Sequence, residues 1–208
     1  MIETFTILIS LAALAVSIVT AWLTLFRRGQ IRMTQPTVVF FGPDGPPRED
    51  AKPQAKVFLR TLLYSTGRRG QVLESMWVNL RRGESNQNFS IWVYGDKQLL
   101  RGSGLFVGPE GLPTNHHFLL PLDGAEFRFF PGSYTLRVYG KCVGSASGAE
   151  LCKLVLSVSD EHGKELKNDT EAGIYFDWGP DLGAYHAHVE TRPPQPQLPP
   201  WLRLPASE

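Results

Sequence analysis

The hydrophobic pattern of the chain begins with one long uncharged stretch. Thr4–Phe26 contains 23 residues without a charged side chain and is followed by Arg27 and Arg28. As a helix with a rise of about 1.5 Å per residue it would span roughly 34 Å, and a hydrocarbon core is about 30 Å thick. A single segment can cross only as a helix, because its backbone amides must be satisfied without water. The pattern therefore predicts an N-terminal transmembrane helix.

A secretory signal peptide is the competing interpretation of this stretch. Such a peptide has a positively charged start and a short apolar core before a small-residue cleavage site. Here Met-Ile-Glu precedes the run and the run is too long, so we expect an uncleaved anchor. Arg27, Arg28 and Arg32 follow the span, whereas Glu3 is the only charged side chain before it. The positive-inside rule then predicts a single-pass protein of the inner or plasma membrane, with its N-terminus outside and its main domain cytoplasmic.

One face of the predicted helix consists of small and weakly polar side chains, which we call the seam. Its residues recur at spacings of three and four and are Thr6, Ser10, Ala13, Ser17, Thr20 and Thr24. A period of about 3.5 is typical of left-handed helix packing, and small residues let helices approach closely in lipid. The seam favours a homo-oligomer or a partner span docked on it. The alternative is a solitary anchor whose hydroxyls bond back to their own helix carbonyls.

The rest of the chain is divided into short apolar runs by turn-forming residues. The whole sequence contains 20 Gly and 16 Pro, and alternation within the runs predicts strands. The predicted strands are Thr37–Phe41, Lys56–Thr66, Val72–Leu80, Asn88–Tyr94, Ser103–Val107, His117–Leu120, Glu126–Phe130, Pro131–Tyr139, Leu151–Val158, Gly173–Trp178 and Ala184–Glu190. Ser159–Asn168 fits either a short helix or a turn.

These elements predict four regions along the chain. They are an anchor at 1–28, a polar connector at 29–36, a β-domain at 37–190 and a Pro-rich tail at 191–208. The tail resembles a linear docking segment, because preformed polyproline lowers the entropy cost of binding. A disordered terminus is the alternative.

The first predicted hairpin defines a candidate binding face. Pairing Leu80 with Phe89 leaves one consistently apolar face and places Trp77 opposite Trp92, with Tyr94 on the same side. Large aromatic side chains clustered on an exposed sheet face mark a binding surface. Trp77, Trp92 and Tyr94 are therefore the predicted partner-binding residues. If their face points inward, they belong to the core instead.

The second predicted hairpin bears on the two cysteines, Cys142 and Cys152. Its apolar faces match when these residues lie opposite one another, with Val138 opposite Leu156. Opposed thiols would allow a disulfide in an oxidising compartment after some adjustment, since cross-strand Cβ atoms lie about 4.5–5.5 Å apart. In a cytoplasmic domain both would be reduced and act as small hydrophobic residues.

The run Pro131-Gly-Ser-Tyr-Thr-Leu-Arg-Val-Tyr139 suggests a class of fold. Tyr134, Leu136 and Val138 alternate with polar or amphipathic residues, as in a half-buried strand. The run resembles the late-strand segment of immunoglobulin-like and related β-sandwiches, in which the tyrosine often sits where a loop enters the strand. The resemblance covers nine residues and implies an all-β, antiparallel immunoglobulin-like β-sandwich, without implying an activity.

Composition and motifs exclude several functions. The net charge of +1 gives no electrostatic basis for nucleic-acid binding. Nucleophile-elbow and dinucleotide-binding spacings are missing, so we expect no enzyme activity and no cofactor. His186 and His188 would share one face of a strand and could hold a metal with nearby carboxylates, but no Cys/His pattern completes a ligand set.

Two arginine pairs flank one predicted strand. Arg68-Arg69 and Arg81-Arg82 would lie roughly 30 Å apart at about 3.3 Å per residue, too far for one nucleic-acid patch. One pair could face anionic lipid near the anchor, and the alternative is solubilising charge at turns.

The features above predict a non-enzymatic, membrane-tethered binding or scaffold module that assembles with a protein partner or with itself. A first alternative is an envelope-facing domain with a Cys142–Cys152 disulfide and an aromatic face for a ligand such as carbohydrate. A second is a metal-dependent enzyme that uses His186 and His188.

Overall fold

The N-terminal stretch forms one long helix. The computed structural model describes residues 2–22, 24, 29–45, 54–96, 98–121 and 127–191. Helix α1 spans Ile2–Ala21, and none of its 20 residues is buried. Within the described part of the chain it is the single helix long and apolar enough to cross a membrane, a property that a signal sequence shares. The fold thus has one apolar helix compatible with a single-pass anchor.

Thirteen strands and a short second helix follow α1 in the described residues. The strands are β1 Ile31–Met33, β2 Val38–Pro43, β3 Ala55–Ser65, β4 Gln71–Arg82, β5 Ser85–Phe89, β6 Ile91–Tyr94, β7 Leu100–Arg101, β8 Leu105–Val107, β9 Leu112–Leu119, β10 Gly132–Cys142, β11 Ala149–Val158, β12 Ala172–Gly179 and β13 Ala184–Thr191. Helix α2 spans Asp160–Asn168, and the Ser159 hydroxyl caps it by accepting from the His162 amide at 3.1 Å.

The strands form two antiparallel sheets around a common hydrophobic core. The eight-stranded sheet has the order β13-β12-β2-β3-β9-β6-β7, with β1 paired to β3. The five-stranded sheet has the order β11-β10-β4-β5, with β8 paired to β4. Apolar side chains from both sheets fill the space between them. The predicted all-β antiparallel class is confirmed.

Alternation located most strands correctly, and the exceptions are informative. In β10, Tyr134, Leu136 and Val138 are buried as predicted. The ambiguous segment before β12 is a helix, α2. Strand β1 lies inside the segment predicted as a connector, because three residues are too few to show a period. Residues 127–130 form no strand, and the tail after Thr191 lies outside the described residues.

The register predicted for the first hairpin is wrong. Val78 pairs with Phe89, two residues from the predicted partner, and Ile91 begins β6 in the other sheet. The chain therefore crosses between the sheets at Ser90. Phe89 and Trp92, three residues apart, would lie on opposite faces of a continuous strand, but the crossing brings both into the core.

The register predicted for the second hairpin is also wrong. Val138 pairs with Cys152 and Leu136 with Leu154, four residues away from the predicted register. A shift by an even number keeps apolar positions opposite apolar positions, so alternation could not distinguish the two registers. Gly140 pairs with Ala149, and the chain turns between them.

Tyr134 closes the corner at which the chain enters β10. Its side chain is 1% exposed. The Tyr134 hydroxyl donates to the carbonyl of Phe130 at 2.8 Å and accepts from the amide of the same residue at 2.8 Å. The tyrosine thus satisfies both backbone groups of a residue four positions upstream, at the place the sequence predicted.

Candidate binding surface

A row of rings crosses the outer face of the eight-stranded sheet. Antiparallel pairing sets His188 beside Tyr175, Tyr175 beside Phe40, Phe40 beside Phe58, and Phe58 beside His117. These five residues, here called the ring row, lie on five adjacent strands from β13 to β9. Because strand pairing alone aligns them, the row is a property of the topology rather than of any one segment.

Three of the neighbouring ring pairs in the row are in contact. The centroids of His188 and Tyr175 are 5.5 Å apart and stacked, and those of Tyr175 and Phe40 are 4.7 Å apart at 49°. Phe58 and His117 meet at 5.0 Å and 61°. Phe40 is buried and the other four rings are half-buried. Tilted and edge contacts of this kind are favourable for aromatic pairs.

Two glycines make room for the central ring. In β2, Val39 and Phe41 point into the core, so Phe40 must point outward. A Cβ at Gly42 or at Gly173 would overlap the Phe40 ring. The ring therefore lies flat against the sheet surface, covered on one side by backbone.

Charged groups of both signs surround the row. The Lys56 ammonium lies 5.7 Å from the Phe40 centroid and bonds to Asp44 at 3.0 Å. The His188 ring lies 3.4 Å from Asp177 and 3.3 Å from Glu190. An apolar centre with a charged rim is the usual anatomy of a protein–protein interface.

His117 is uncharged at neutral pH. Partial burial and the nearby Lys56 charge lower the pKa of His117 to about 4, although Asp44 opposes the effect. The β9 end of the row therefore presents a neutral ring.

The structure separates Trp77 from the other two predicted partner-binding residues, Trp92 and Tyr94. Trp77 lies on the outer face of the five-stranded sheet, stacked on Tyr139 at 5.5 Å. Trp92 is 4% exposed, and its indole N–H donates to His116 Nδ1 at 3.1 Å. Tyr94 is half-buried beside Trp92, with ring centroids 5.0 Å apart. The expected single cluster of these aromatic residues is therefore wrong as a geometric prediction.

The predicted histidine pair lies on the outer face of β13. His186 pairs with Asp177, and His188 with Tyr175. Among the described residues, no group of three or more His, Cys, Asp or Glu side chains is arranged to hold a metal ion. His188 instead belongs to the ring row through its stacking on Tyr175.

The two cysteines are apart and free. Both thiols are unpaired, and the true register sets Cys142 four residues beyond the partner of Cys152, about 13 Å along the strand. A disulfide needs Cα atoms within about 7 Å, so the opposed pair predicted from the sequence is wrong. Burial and the Glu150 charge raise the pKa of Cys152 to about 11, and burial also raises the pKa of Cys142. Both side chains are protonated and weakly reactive at neutral pH.

The hydroxyls of the seam bond within α1 and the segment after it. The side chains of Thr6, Ser10 and Ser17 each donate to the carbonyl four residues earlier, at 2.9–3.0 Å. Thr24 does the same to Thr20 at 2.7 Å. These four of the five seam hydroxyls are satisfied without a partner helix, so the seam offers mainly small side chains for close packing rather than free hydrogen-bonding groups.

The ring row was not found from the sequence, although part of its pattern is visible there. Phe40 and Phe58 occupy the outward positions of strands whose inward positions are strongly apolar. Their alignment with Tyr175 requires β12 to pair with β2, which are far apart in the chain.

Comparison of the chain with protein-family models, with characterised proteins and with solved structures gave no match.

Proposed function

We propose that this protein is a membrane-tethered binding module, held by α1 and recognising a protein partner through the ring row. The observation that carries the proposal is an apolar helix with none of its residues buried, joined to a β-domain that bears the row on an outer face. Tethering would confine the domain to the membrane surface and raise its effective concentration toward partners there. The module needs no catalytic group for this role.

The geometry of the row favours a protein over a sugar. Sugar rings stack on flat aromatic platforms, whereas two of the three ring pairs in contact are tilted, by 49° and 61°, and only the His188–Tyr175 pair at one end of the row is stacked. The tilted rings form an uneven surface, which suits interdigitation with the side chains of a protein partner. The charged rim formed by Lys56, Asp177 and Glu190 supplies groups of both signs for specificity.

The tyrosine corner at the entry to β10 supports an immunoglobulin-like sandwich. In that class a tyrosine hydroxyl bonds to the backbone a few residues upstream at the entry to a late strand. Tyr134 does so to Phe130. The tyrosine corner recurs in sandwiches of many functions, so it supports the fold and leaves the function to the ring row.

The flanking charges and the thiols support a cytoplasmic orientation. Arg27, Arg28 and Arg32 follow the apolar stretch, and by the positive-inside rule this favours the cytoplasmic side for the β-domain. Free, separated Cys142 and Cys152 suit a reducing compartment. Self-association through the seam would add a second contact between copies.

The orientation of the domain across the membrane is tested by thiol labelling of the full chain in cells. We expect neither thiol to react with a membrane-impermeant reagent in intact cells. After lysis and denaturation, both should react equally with and without reductant. The domain should become protease-sensitive only when the membrane is opened, and the N-terminal residues should remain attached.

A Cys142→Ser/Cys152→Ser variant controls for labelling of other groups. Labelling that requires reductant, together with digestion from outside intact cells, would place the domain in the envelope and refute the cytoplasmic orientation. Loss of residues 2–22 from the mature chain would refute the anchor itself.

Partner binding is tested with a photoreactive amino acid in the ring row. Placed at Phe58, it should give one discrete adduct in cells, whereas the same group at Lys153 on the outer face of the five-stranded sheet should not. Unlabelled detergent-solubilised chain should compete for the adduct. The Phe58→Ala/Tyr175→Ala competitor should be at least about tenfold weaker, since central aromatics carry most interface energy.

The matched control competitor is Trp77→Ala, which removes a half-buried aromatic from the other sheet. If that variant loses competition and the ring-row variant keeps it, the binding face is the one around Trp77. Equal adducts from Phe58 and Lys153 would show non-specific proximity and reject a defined face.

A further inference from the structure

The start of the β-domain is fastened to the turn between β3 and β4. The Gln30 amide donates to the Thr66 hydroxyl at 2.8 Å, and the Thr66 amide donates to the Gln30 carbonyl at 2.9 Å. The Gln71 side chain donates to the Gly29 carbonyl. A Cβ at Gly29 would overlap the backbone of Gly67, so glycine is required for this close contact. The domain therefore begins at a fixed point on its surface.

That fixed point is close to the end of the apolar stretch along the chain. Phe26 is the last residue of the stretch, and Gly29 follows three residues later. Three residues reach at most about 10 Å. If α1 spans a membrane, the β3–β4 turn must lie within about that distance of the apolar boundary.

The same end of the domain carries an exposed surface of arginine and apolar side chains. We call it the membrane-proximal patch, and it comprises Arg68, Arg69, Val72, Phe106 and Val143. Phe106 is 58% exposed, Val143 64% and Val72 40%. Arg68 and Arg69 are exposed in the β3–β4 turn.

The apolar members of the patch are contiguous. Val72 pairs with Phe106 across β4 and β8, and the Val143 amide donates to the Val72 carbonyl at 2.9 Å. A Cβ at Gly70 would meet the Phe106 ring, which places that ring directly beside the arginine turn. Other charged groups near the patch include Glu110 and Arg32, which are both exposed, and a Glu74–Lys141 pair at 3.2 Å; Arg32 bonds to the Gln30 side chain at 2.8 Å.

We propose that the membrane-proximal patch docks on the anionic lipid surface of the bilayer that α1 spans, and so fixes the orientation of the β-domain. Phe106 and Val143 enter the interfacial layer, while Arg68 and Arg69 contact lipid phosphates. The inference rests on the proposed membrane tether. Exposed apolar groups beside arginines, held next to a span, match the chemistry of that surface. Docking would hold the ring row at a constant angle to the membrane.

The second arginine pair has a different role. Arg82 donates to the Pro131 carbonyl at 3.1 Å, and its guanidinium lies 5.3 Å from the centroid of Phe130. Arg81 donates to the Gly83 carbonyl at 3.0 Å. The pair thus fastens loops at the opposite end of β4 and is distant from the start of the domain.

Hydrogen exchange of the full chain in lipid nanodiscs tests the docking. We compare nanodiscs of phosphatidylcholine alone with nanodiscs containing phosphatidylserine. Anionic lipid should slow exchange in residues 66–72, 104–108 and 142–146, and high salt should reverse the effect. Exchange in α2 and in residues 82–85 should not change.

The Arg68→Gln/Arg69→Gln variant should lower the docked-to-undocked ratio by about 25-fold, because each arginine near an anionic surface contributes about fivefold. In the Phe106→Ser/Val143→Ser variant, anionic lipid should no longer slow hydrogen exchange in these residues, even without added salt. The matched control, Lys164→Gln/Lys167→Gln, removes two charges from α2 and should behave like wild type.

Equal exchange in both lipids, or protection that survives in both patch variants, would overturn the docking proposal. A chain that does not insert into nanodiscs, or that alkaline carbonate extracts from membranes, would instead refute the tether. The two failures are therefore distinguishable.

Discussion

Replacing Phe41 with alanine should destabilise the β-domain by about 3–5 kcal/mol, the range for removing a fully buried phenylalanine. Phe41 is 0% exposed and lies where both sheets and the 127–130 segment meet. Its ring stacks on Phe129 at 5.0 Å and meets Phe176 at 5.2 Å and Tyr134 at 5.7 Å. Alanine would remove all three contacts and leave a cavity that the paired strands cannot close.

Pulse proteolysis of the detergent-solubilised full chain in increasing urea measures this loss. The matched control is Phe106→Ala, which removes the same side chain from a site that is 58% exposed. That substitution should cost less than about 1 kcal/mol, because little apolar area is buried there. Equal costs for the two variants would contradict the location of the core.

Phe41 also illustrates what the sequence could predict. Alternation in β2, β3 and β10 is strong because one face of each strand lies against the core, and these strands were located within a few residues. Alternation constrains which face is buried, and it does not constrain which strands are neighbours. Both hairpin registers were wrong by even numbers of residues, an error that keeps the buried faces of β4, β5, β10 and β11 as predicted. The face predicted for Ile91–Tyr94 was wrong, because the chain crosses to the other sheet at Ser90.

The ring row depends on which strands pair with one another, and alternation does not specify those pairings. The ring row arises because β12 pairs with β2, β2 with β3, and β3 with β9. No local pattern specifies those pairings, so the sequence showed Phe40 and Tyr175 only as isolated aromatics. The predicted cluster of Trp77 with Trp92 failed for the same reason, since the chain changes sheets at Ser90.

Acidification should destabilise the domain through His116. This residue is 0% exposed, and its Nδ1 accepts the Trp92 indole N–H. Burial and the neighbouring His117 lower the pKa of His116 from 6.5 to about 3. The neutral ring must carry its proton on Nε2, which has no hydrogen-bond partner among the described residues. A second proton would turn Nδ1 into a donor facing the Trp92 donor.

The direction of the pH effect follows from this lowered pKa. Between pH 6.5 and 3 the unfolded chain binds a proton at His116 and the folded chain does not. Stability is therefore complete above pH 6.5 and falls as the pH decreases, by about 2 kcal/mol at pH 5 and on the order of 5 kcal/mol by pH 3. Urea midpoints from pH 7.5 to 4.5, measured by pulse proteolysis, follow this change.

Two variants separate His116 from the other titrating groups. His116→Gln keeps an acceptor for Trp92 and does not titrate, so it should lower stability at pH 7 and reduce the dependence between pH 6.5 and 4.5. The dependence that remains comes from His117, whose pKa is also lowered, to about 4. His186→Gln removes an exposed histidine and should leave the wild-type slope. If His116→Gln keeps the full slope, the acid sensitivity arises elsewhere. A reduced slope would instead establish the Trp92–His116 contact as a pH-dependent bond of the core, located directly behind the His117 end of the ring row.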